Sequence, residues 1–440
     1  MKRFKITFKF KPFSKKQRKI FNWWTKDSPV KDADGIIADG AIRSGKTLSM
    51  SLSFIMWAME TFNCQNFGMC GKTVGSFRRN VWFWLRIMLL SRGYRYKDHK
   101  TENYIEISKK GKLNYFYVFG GKDEGSQDLI QGITLAGVFF DEVALMPESF
   151  VNQATGRCSV DGSKFWFNCN PDGPMHWFKV NWIEKATGYL TKKQQEELIS
   201  NNIELKNILY LHFTMDDNLS LSEKIKARYR SMYVGVFFKR FILGLWAIAQ
   251  GSIFDMWSEE NEIKELMLPI ALKSVAQRYI TIDYGTTNPM VFLDIWDDGE
   301  ILWVINEYYY DSKEKGVQKT DKQYGDDLEK FIGDDCPVAI ILDPSAASFK
   351  AEMRNRGHRI KDADNDVMDG IRMTSTMMAQ RKIKVVKDNC PRTVKDITSY
   401  VWDEKAAQRG EEKPIKENDH GCDALRYMVK TTIKSWRLAS

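Results

Sequence analysis

The chain has 440 residues, 43% of them hydrophobic and 28% charged, and a formal net charge of +9. This composition excludes a disordered polyelectrolyte, and the length predicts two to four domains, each able to bury a core. No apolar run is long enough for a transmembrane helix, and the basic, aromatic start Met1 to Phe13 lacks the apolar core and cleavage site of a signal peptide. A cytosolic protein without membrane contact is expected. Seven cysteines (64, 70, 158, 169, 336, 390 and 422) form no CxxC pair and are odd in number, which argues against a disulfide framework and against a zinc knuckle.

Basic residues cluster from Lys2-Arg3 through Lys15-Lys16-Arg18-Lys19, at Arg78-Arg79, at Lys109-Lys110-Lys112, and from Lys224 to Arg230 with Lys239-Arg240. Such runs are read as solvated helix faces or as contacts to a polyanion, and the interleaved Trp23, Trp24, Trp82, Trp84 and Tyr233 as core or as stacking surface.

Ile36-Ile37-Ala38 predicts a short buried strand, and Gly40-Ala41-Ile42-Arg43-Ser44-Gly45-Lys46-Thr47 follows it at the head of a long helical pattern. The match to Gly-x4-Gly-Lys-[Ser/Thr] in this strand-to-helix setting predicts a phosphate-binding loop. Backbone N–H groups freed by Gly40 and Gly45 would curl around the α- and β-phosphates, Lys46 would reach the β- and γ-oxygens, and the Thr47 hydroxyl would ligate Mg²⁺. Arg43, inside the loop beside Ser44, is a candidate γ-phosphate contact. About 95 residues further on, the apolar run Leu135 to Phe140 ends in Asp141-Glu142. Asp141 is expected to hold Mg²⁺ and Glu142 to orient or deprotonate the attacking water. Strand-like runs at 67–70, 113–119, 164–168 and 208–213 alternate with helical stretches, which predicts an α/β sheet for this half.

A different pattern starts after Gly251-Ser252 and the acidic segment Glu259 to Glu262. Arg278 to Asp283 reads as a strand ending in an acid. Val291 to Trp296 and Ile301 to Tyr310 flank Asp297-Asp298-Gly299, a hairpin turn signal. A helix around Asp326 to Ile332 then leads to a fourth strand, Val338 to Asp343. Three antiparallel strands, a helix and a strand ending in a carboxylate is the order of an RNase H-like nuclease. Asp283 and Asp343 would project from adjacent strand ends, and Asp423 would join them from a C-terminal helix. Such a trio can hold two divalent ions for phosphodiester hydrolysis. His420, three residues before Asp423, would share its helix face and serve as metal ligand, proton carrier or helix-start residue. Glu307 is either a fourth metal-site acid or a polar position on a half-exposed strand, and Asp294 is read as structural.

A phosphate-loop ATPase followed by an RNase H-like nuclease resembles the large terminase subunit of tailed bacteriophages, over nearly the whole length. Phe167-Asn168-Cys169-Asn170-Pro171 resembles that family's coupling motif, a strand end that senses the γ-phosphate, with Asn170 at the nucleotide, and Phe241 to Trp246 resembles the segment closing its ATPase domain. Ile282 to Gly285, Leu342 to Pro344 and Asp419 to Tyr427 resemble its three metal-binding blocks. Gln17 stands where the family has an adenine-reading glutamine, the alternative being a surface residue of a basic helix.

The resemblance implies an ATPase domain over residues 1–250, a linker over 251–271 and a nuclease domain over 272–440. It further implies ATP with Mg²⁺ at the first site and two Mg²⁺ or Mn²⁺ at the second. The expected activity is ATP-driven translocation of double-stranded DNA into a procapsid, together with cutting of concatemeric DNA. The expected partners are that DNA, a small terminase subunit and the portal protein, with several copies of the chain on the portal. The place of action that the resemblance implies is the host cytoplasm, docked on the procapsid and outside the mature virion. The alternative is a helicase- or repair-type ATPase whose RNase H-like domain binds nucleic acid without cleaving it.

Overall fold

In the computed structural model, residues 8, 10–285 and 288–432 are described, so the Lys2-Arg3 cluster lies outside them. The chain divides into two compact units, residues 1–230 with 238–248, and residues 231–237 with 249–440.

The first unit is built on eight strands: Gly35–Gly40 (β1), Asn66–Gly71 (β2), Arg95–His99 (β3), Tyr104–Lys109 (β4), Lys112–Gly120 (β5), Gly137–Phe140 (β6), Lys164–Asn168 (β7) and Ile208–Phe213 (β8). They form one sheet in the order β3-β4-β5-β2-β6-β7-β1-β8. The six strands from β5 to β8 run parallel, and β3 and β4 extend the edge as an antiparallel meander. β1, β2 and β6 are buried almost throughout, as parallel strands covered on both faces must be. The helix Lys46–Thr61 supplies much of the cover on one side, burying Met50, Leu52, Phe54, Ile55, Trp57, Ala58 and Met59. Trp57 and Phe54 meet Trp166 of β7 at ring-centroid distances of 4.7 and 5.3 Å. Trp23 reaches the same ring at 4.9 Å. Burying each such side chain contributes roughly 1.5–3 kcal/mol. Of the tryptophans flanking the basic clusters, Trp23 and Trp82 are therefore core, whereas Trp84 is exposed.

The second unit has Glu262–Ile263 (β9), Gln277–Asp283 (β10), Met290–Asp297 (β11), Leu302–Tyr310 (β12), Ala339–Leu342 (β13), Ile360–Asp362 (β14) and Ile383–Val386 (β15). Their order is β14-β13-β10-β11-β12-β15-β9. β10, β11 and β12 are antiparallel neighbours. The helix Asp321–Ile332 then returns the chain to β13, parallel to β10 on its other side. The strands β12-β11-β10-β13, continued by β14 parallel to β13, thus have the RNase H-like order. Residues 251–271, read from sequence as a linker, contribute β9 to the edge of this sheet through pairing with β15. Asp294 is structural, as expected: Arg278 clasps it through Nε at 2.9 Å and Nη2 at 2.8 Å, and the pair is buried. Removing one member of such a pair costs about 3–5 kcal/mol, because the other is left charged and unpaired.

All seven cysteines are unbridged. Among the described residues no helix is long and apolar enough to cross a membrane.

Candidate functional site

Ligands of open parallel sheets bind beyond the carboxyl ends of the strands. In the first unit β7 lies between β1 and β6, so three strand ends converge there. These are the loop after β1, Asn168 to Asn170 at the end of β7, and Asp141-Glu142 after β6.

Lys46 opens its helix behind Gly45, which has φ +84°. A side chain there would be strained by that φ, and its Cβ would lie 2.5 Å from Gln17 Nε2. Lys46 Nζ donates to the carbonyls of Gly40 (2.9 Å) and Ala41 (2.7 Å), to Ser44 Oγ (3.2 Å) and to Asn170 Oδ1 (3.2 Å). Burial holds its pKa below the ordinary lysine value, while Glu142 pulls in the opposite direction. Asn170 turns its amide nitrogen to both Glu142 oxygens, at 3.1 and 2.9 Å. One carboxamide therefore joins Lys46, the expected phosphate contact, to the expected base.

Asn168, two residues earlier, joins Asp141 to the Glu142 backbone. Its Nδ2 donates to Asp141 Oδ1 at 3.0 Å, and its Oδ1 accepts the Glu142 N–H at 3.0 Å. Thr47 Oγ1 donates to the same Asp141 oxygen at 3.0 Å, which places both Mg²⁺ candidates together. Glu142 sits at φ +60°, a left-handed conformation uncommon outside glycine, and this turn aims its carboxylate at Asn170. Burial first, and the neighbouring Asp141 second, raise the Glu142 pKa to about 7, and burial also raises that of Asp141. A carboxylate with a pKa near 7 is matched to take a proton from water at neutral pH.

Gln17 is buried rather than at the surface. Its Oε1 accepts the Ser14 N–H at 2.9 Å while Nε2 lies over Gly45. Arg43 is exposed, with its guanidinium 5.4 Å from the Tyr229 ring centre. The segment 241–246 packs on the loop: the Ile42 N–H donates to the Phe241 carbonyl, and Trp246 Nε1 donates to Asp39 Oδ2 at 2.7 Å.

In the second unit, β10 and β13 pair in parallel with Ile282 opposite Leu342. The next residues, Asp283 and Asp343, therefore emerge side by side. Tyr427 Oη lies 3.3 Å from Asp283 Oδ1 and 2.9 Å from Asp343 Oδ2, so one hydroxyl spans both carboxylates. His420 begins the helix His420–Thr432, and its Nδ1 is 2.8 Å from Asp283 Oδ2. It is thus engaged with the site and not with backbone. Burial opposes charging of His420, but the bond to Asp283 outweighs it and raises the pKa above the usual histidine value. Burial raises the Asp283 pKa despite that same bond. Burial also works against Asp343, yet the Ser345 hydroxyl and N–H hold its carboxyl below the ordinary value.

Asp423 is on the same helix, but both its oxygens face cations: Oδ1 lies 3.0 Å from Arg426 Nη2, and Oδ2 lies 3.1 Å from Lys416 Nζ. Among the described residues no three acidic, imidazole or thiol groups converge as a metal site, so the structure does not itself gather the predicted trio Asp283, Asp343 and Asp423 into one. The carboxylates of Asp283, Asp343 and Asp423 are of the hard oxygen type that Mg²⁺ and Mn²⁺ favour. Glu307 accepts the N–H groups of Arg392 and Thr393, both at 2.8 Å. It caps the helix Pro391–Ser399, which makes it a structural acid.

Asn168, Tyr427, Arg426 and Lys416 were not assigned from sequence. The first three stand inside the motifs quoted above, so motif membership was the available signal. Lys416 carries no such mark.

The family described as "Terminase large subunit, T4likevirus-type, N-terminal" matches residues 37–260. Among solved structures, the chain is similar to the large terminase of a thermophilic bacteriophage, at 54% identity and a TM-score of 0.86, over 96% of this chain and 100% of that one. The same phage's large terminase in complex with ADP is 53% identical with a TM-score of 0.82, over 96% and 100% of the two chains. Its complex with ATP-γ-S gives 53% and 0.81, over 95% and 98%. No curated protein sequence matches.

Proposed function

Because the chain belongs to the large-subunit family of phage terminases, we propose that it hydrolyses ATP to drive double-stranded DNA into a procapsid and cuts concatemeric DNA with its second unit. The observation that carries this reading is the unbroken hydrogen-bonded path from Lys46 through Asn170 to Glu142. Through it, the residue that would hold the γ-phosphate and the residue that would activate water act on one sensor. ADP and ATP-γ-S, bound by the thermophilic phage's enzyme, are the nucleotides this loop is expected to take.

The loop N–H groups and Lys46 hold the phosphates, Gln17 stands where the adenine would be read, and Glu142 takes the proton of the attacking water. Thr47 and Asp141 would hold Mg²⁺, which supplies charge neutralisation at the phosphates. In the second unit Asp283, Asp343 and Asp423 would hold two divalent ions, which supply Lewis acidity at the attacking and leaving oxygens. His420 orients Asp283 and can carry a proton, while Tyr427 keeps Asp283 and Asp343 at a fixed separation. Duplex contacts are mainly to phosphates, so binding falls steeply with salt. A small terminase subunit, the portal ring and neighbouring copies of this chain complete the assembly, acting in the host cytoplasm on the procapsid.

The reading is tested by assaying the purified chain for DNA-stimulated ATPase and for plasmid cleavage with Mg²⁺ or Mn²⁺, with and without chelator. ATP hydrolysis with no metal-dependent cleavage would favour a repair- or helicase-type ATPase instead.

Glu142→Gln is expected to keep Mg·ATP affinity and to lower turnover by about 10²–10⁴-fold, as loss of a general base does. Asp141→Asn should weaken Mg²⁺-dependent nucleotide binding itself. Fluorescent-nucleotide titration separates the two, and a Glu142→Gln chain unable to bind would reverse the assignments. With its pKa raised to about 7 by burial and by Asp141, Glu142 changes protonation state near neutral pH. Wild-type hydrolysis should therefore rise with pH across that value; a flat profile from about pH 5.5 to 8.5 would remove Glu142 as base.

His420→Ala should reduce cleavage partially and displace its pH profile, because the variant lacks a group titrating above the ordinary histidine value. An unchanged rate and profile would leave His420 as a structural partner of Asp283.

A further inference from the structure

Asp423 is bracketed by two cations of different character. Arg426 is 2% exposed, donates to the Asn365 carbonyl at 3.1 Å, and lies where a Cβ on Gly370 would come within 2.4 Å of its Cγ. It is locked in place and can only position Asp423 Oδ1. Lys416 comes from the loop before the helix. Its Nζ is 3.1 Å from Asp423 Oδ2 and 3.1 Å from Asp419 Oδ2, and its side chain is 59% exposed. Among the described residues those two carboxylates are its partners, and no backbone carbonyl anchors it.

An ammonium and a divalent ion at one carboxylate oxygen repel each other in a partly buried site, so the two compete for Asp423 Oδ2. Arg426 cannot leave, whereas Lys416 can swing into water on its four-carbon stem at little cost. We propose that Lys416 is an exchangeable counter-ion, whose ammonium occupies on Asp423 Oδ2 the place a divalent cation takes in the cleaving enzyme. Ion binding then requires Lys416 to leave, so this lysine sets the metal concentration at which the nuclease site assembles. Without metal it keeps Asp419 and Asp423 neutralised next to Asp283. The inference rests on the reading of Asp283, Asp343 and Asp423 as metal ligands.

The test is calorimetric titration of Mn²⁺ into the full chain without nucleotide. Lys416→Met, a change at an exposed side chain, should raise Mn²⁺ affinity on the order of tenfold. Lys413→Met, which removes the same charge three residues away, from a lysine paired with Glu411, should leave it unchanged. Equal or weaker Mn²⁺ binding by Lys416→Met would overturn the counter-ion role, and so would an equal gain in Lys413→Met, which would show a general charge effect. Asp283→Asn identifies the site: wild-type binding heat that persists in this variant would overturn the metal reading and this inference together. Heat that depends on Asp283 but not on Lys416 would sink the counter-ion role alone.

Discussion

Lys46→Ala is expected to abolish ATP hydrolysis while leaving metal-dependent DNA cleavage near the wild-type rate. The ammonium is buried among four acceptors, two of them carbonyls of its own loop. Without it the phosphates lose their direct positive contact, and Asn170 loses the group that links it to the loop. Removing one preorganised stabilising donor lowers turnover by about 10²–10³-fold, and losing the Asn170 link adds to that. The four acceptors of Lys46, Gly40, Ala41, Ser44 and Asn170, all belong to the first unit, so the nuclease is not expected to respond. Steady-state phosphate release and plasmid nicking, measured on one preparation, check both halves of the expectation. Normal ATPase turnover in this variant would remove the loop from the mechanism.

Asp283→Asn and Asp343→Asn should each lose plasmid cleavage and retain ATPase activity. The two carboxylates are held side by side by strand register and by the Tyr427 hydroxyl. An amide keeps the shape and the bond to Tyr427 but removes the negative charge that a divalent ion needs. A metal's contribution of several kcal/mol to the transition state corresponds to a loss beyond about 10²-fold. Chelator should silence the wild-type enzyme to the same baseline. Cleavage by either variant at the wild-type rate would make these acids structural.

The chemistry-bearing segments were legible because each depends on residue types at fixed spacing along one stretch of chain. The loop Gly40 to Thr47, the acids after the run Leu135 to Phe140 and the strand ending in Asp283 need only a buried parallel strand followed by the right residues. Those strands are near-continuous apolar runs, which short-range patterning reveals. The edge strands Arg95–His99 and Ile360–Asp362, and Tyr104–Lys109 next to the first of them, escaped the sequence reading. They carry charged residues and are only partly buried, so their pairing and not their composition makes them strands. The same holds for Glu262–Ile263, two residues made a strand by the distant Val385-Val386.

What the sequence by itself determined is therefore the inventory of candidates: a loop of phosphate-binding pattern, two acids expected to serve its metal and water, and carboxylates on strand ends and a final helix. Only the tertiary structure decided which of them act on one another. Strand order puts β7 between β1 and β6, which makes Asn170 the link between Lys46 and Glu142 and gives Asn168 the same office for Asp141 and the Glu142 backbone. Parallel register sets Asp283 beside Asp343, helix docking brings Tyr427 and His420 to them, and a loop lysine with no motif of its own reaches Asp423. It also settled Glu307 as the cap of a helix that starts far along the chain, at Pro391. Hydrogen bonds and ion pairs act over about 3 Å of space whatever the separation along the chain, so spacing in sequence can nominate a residue while its partners are fixed by the fold.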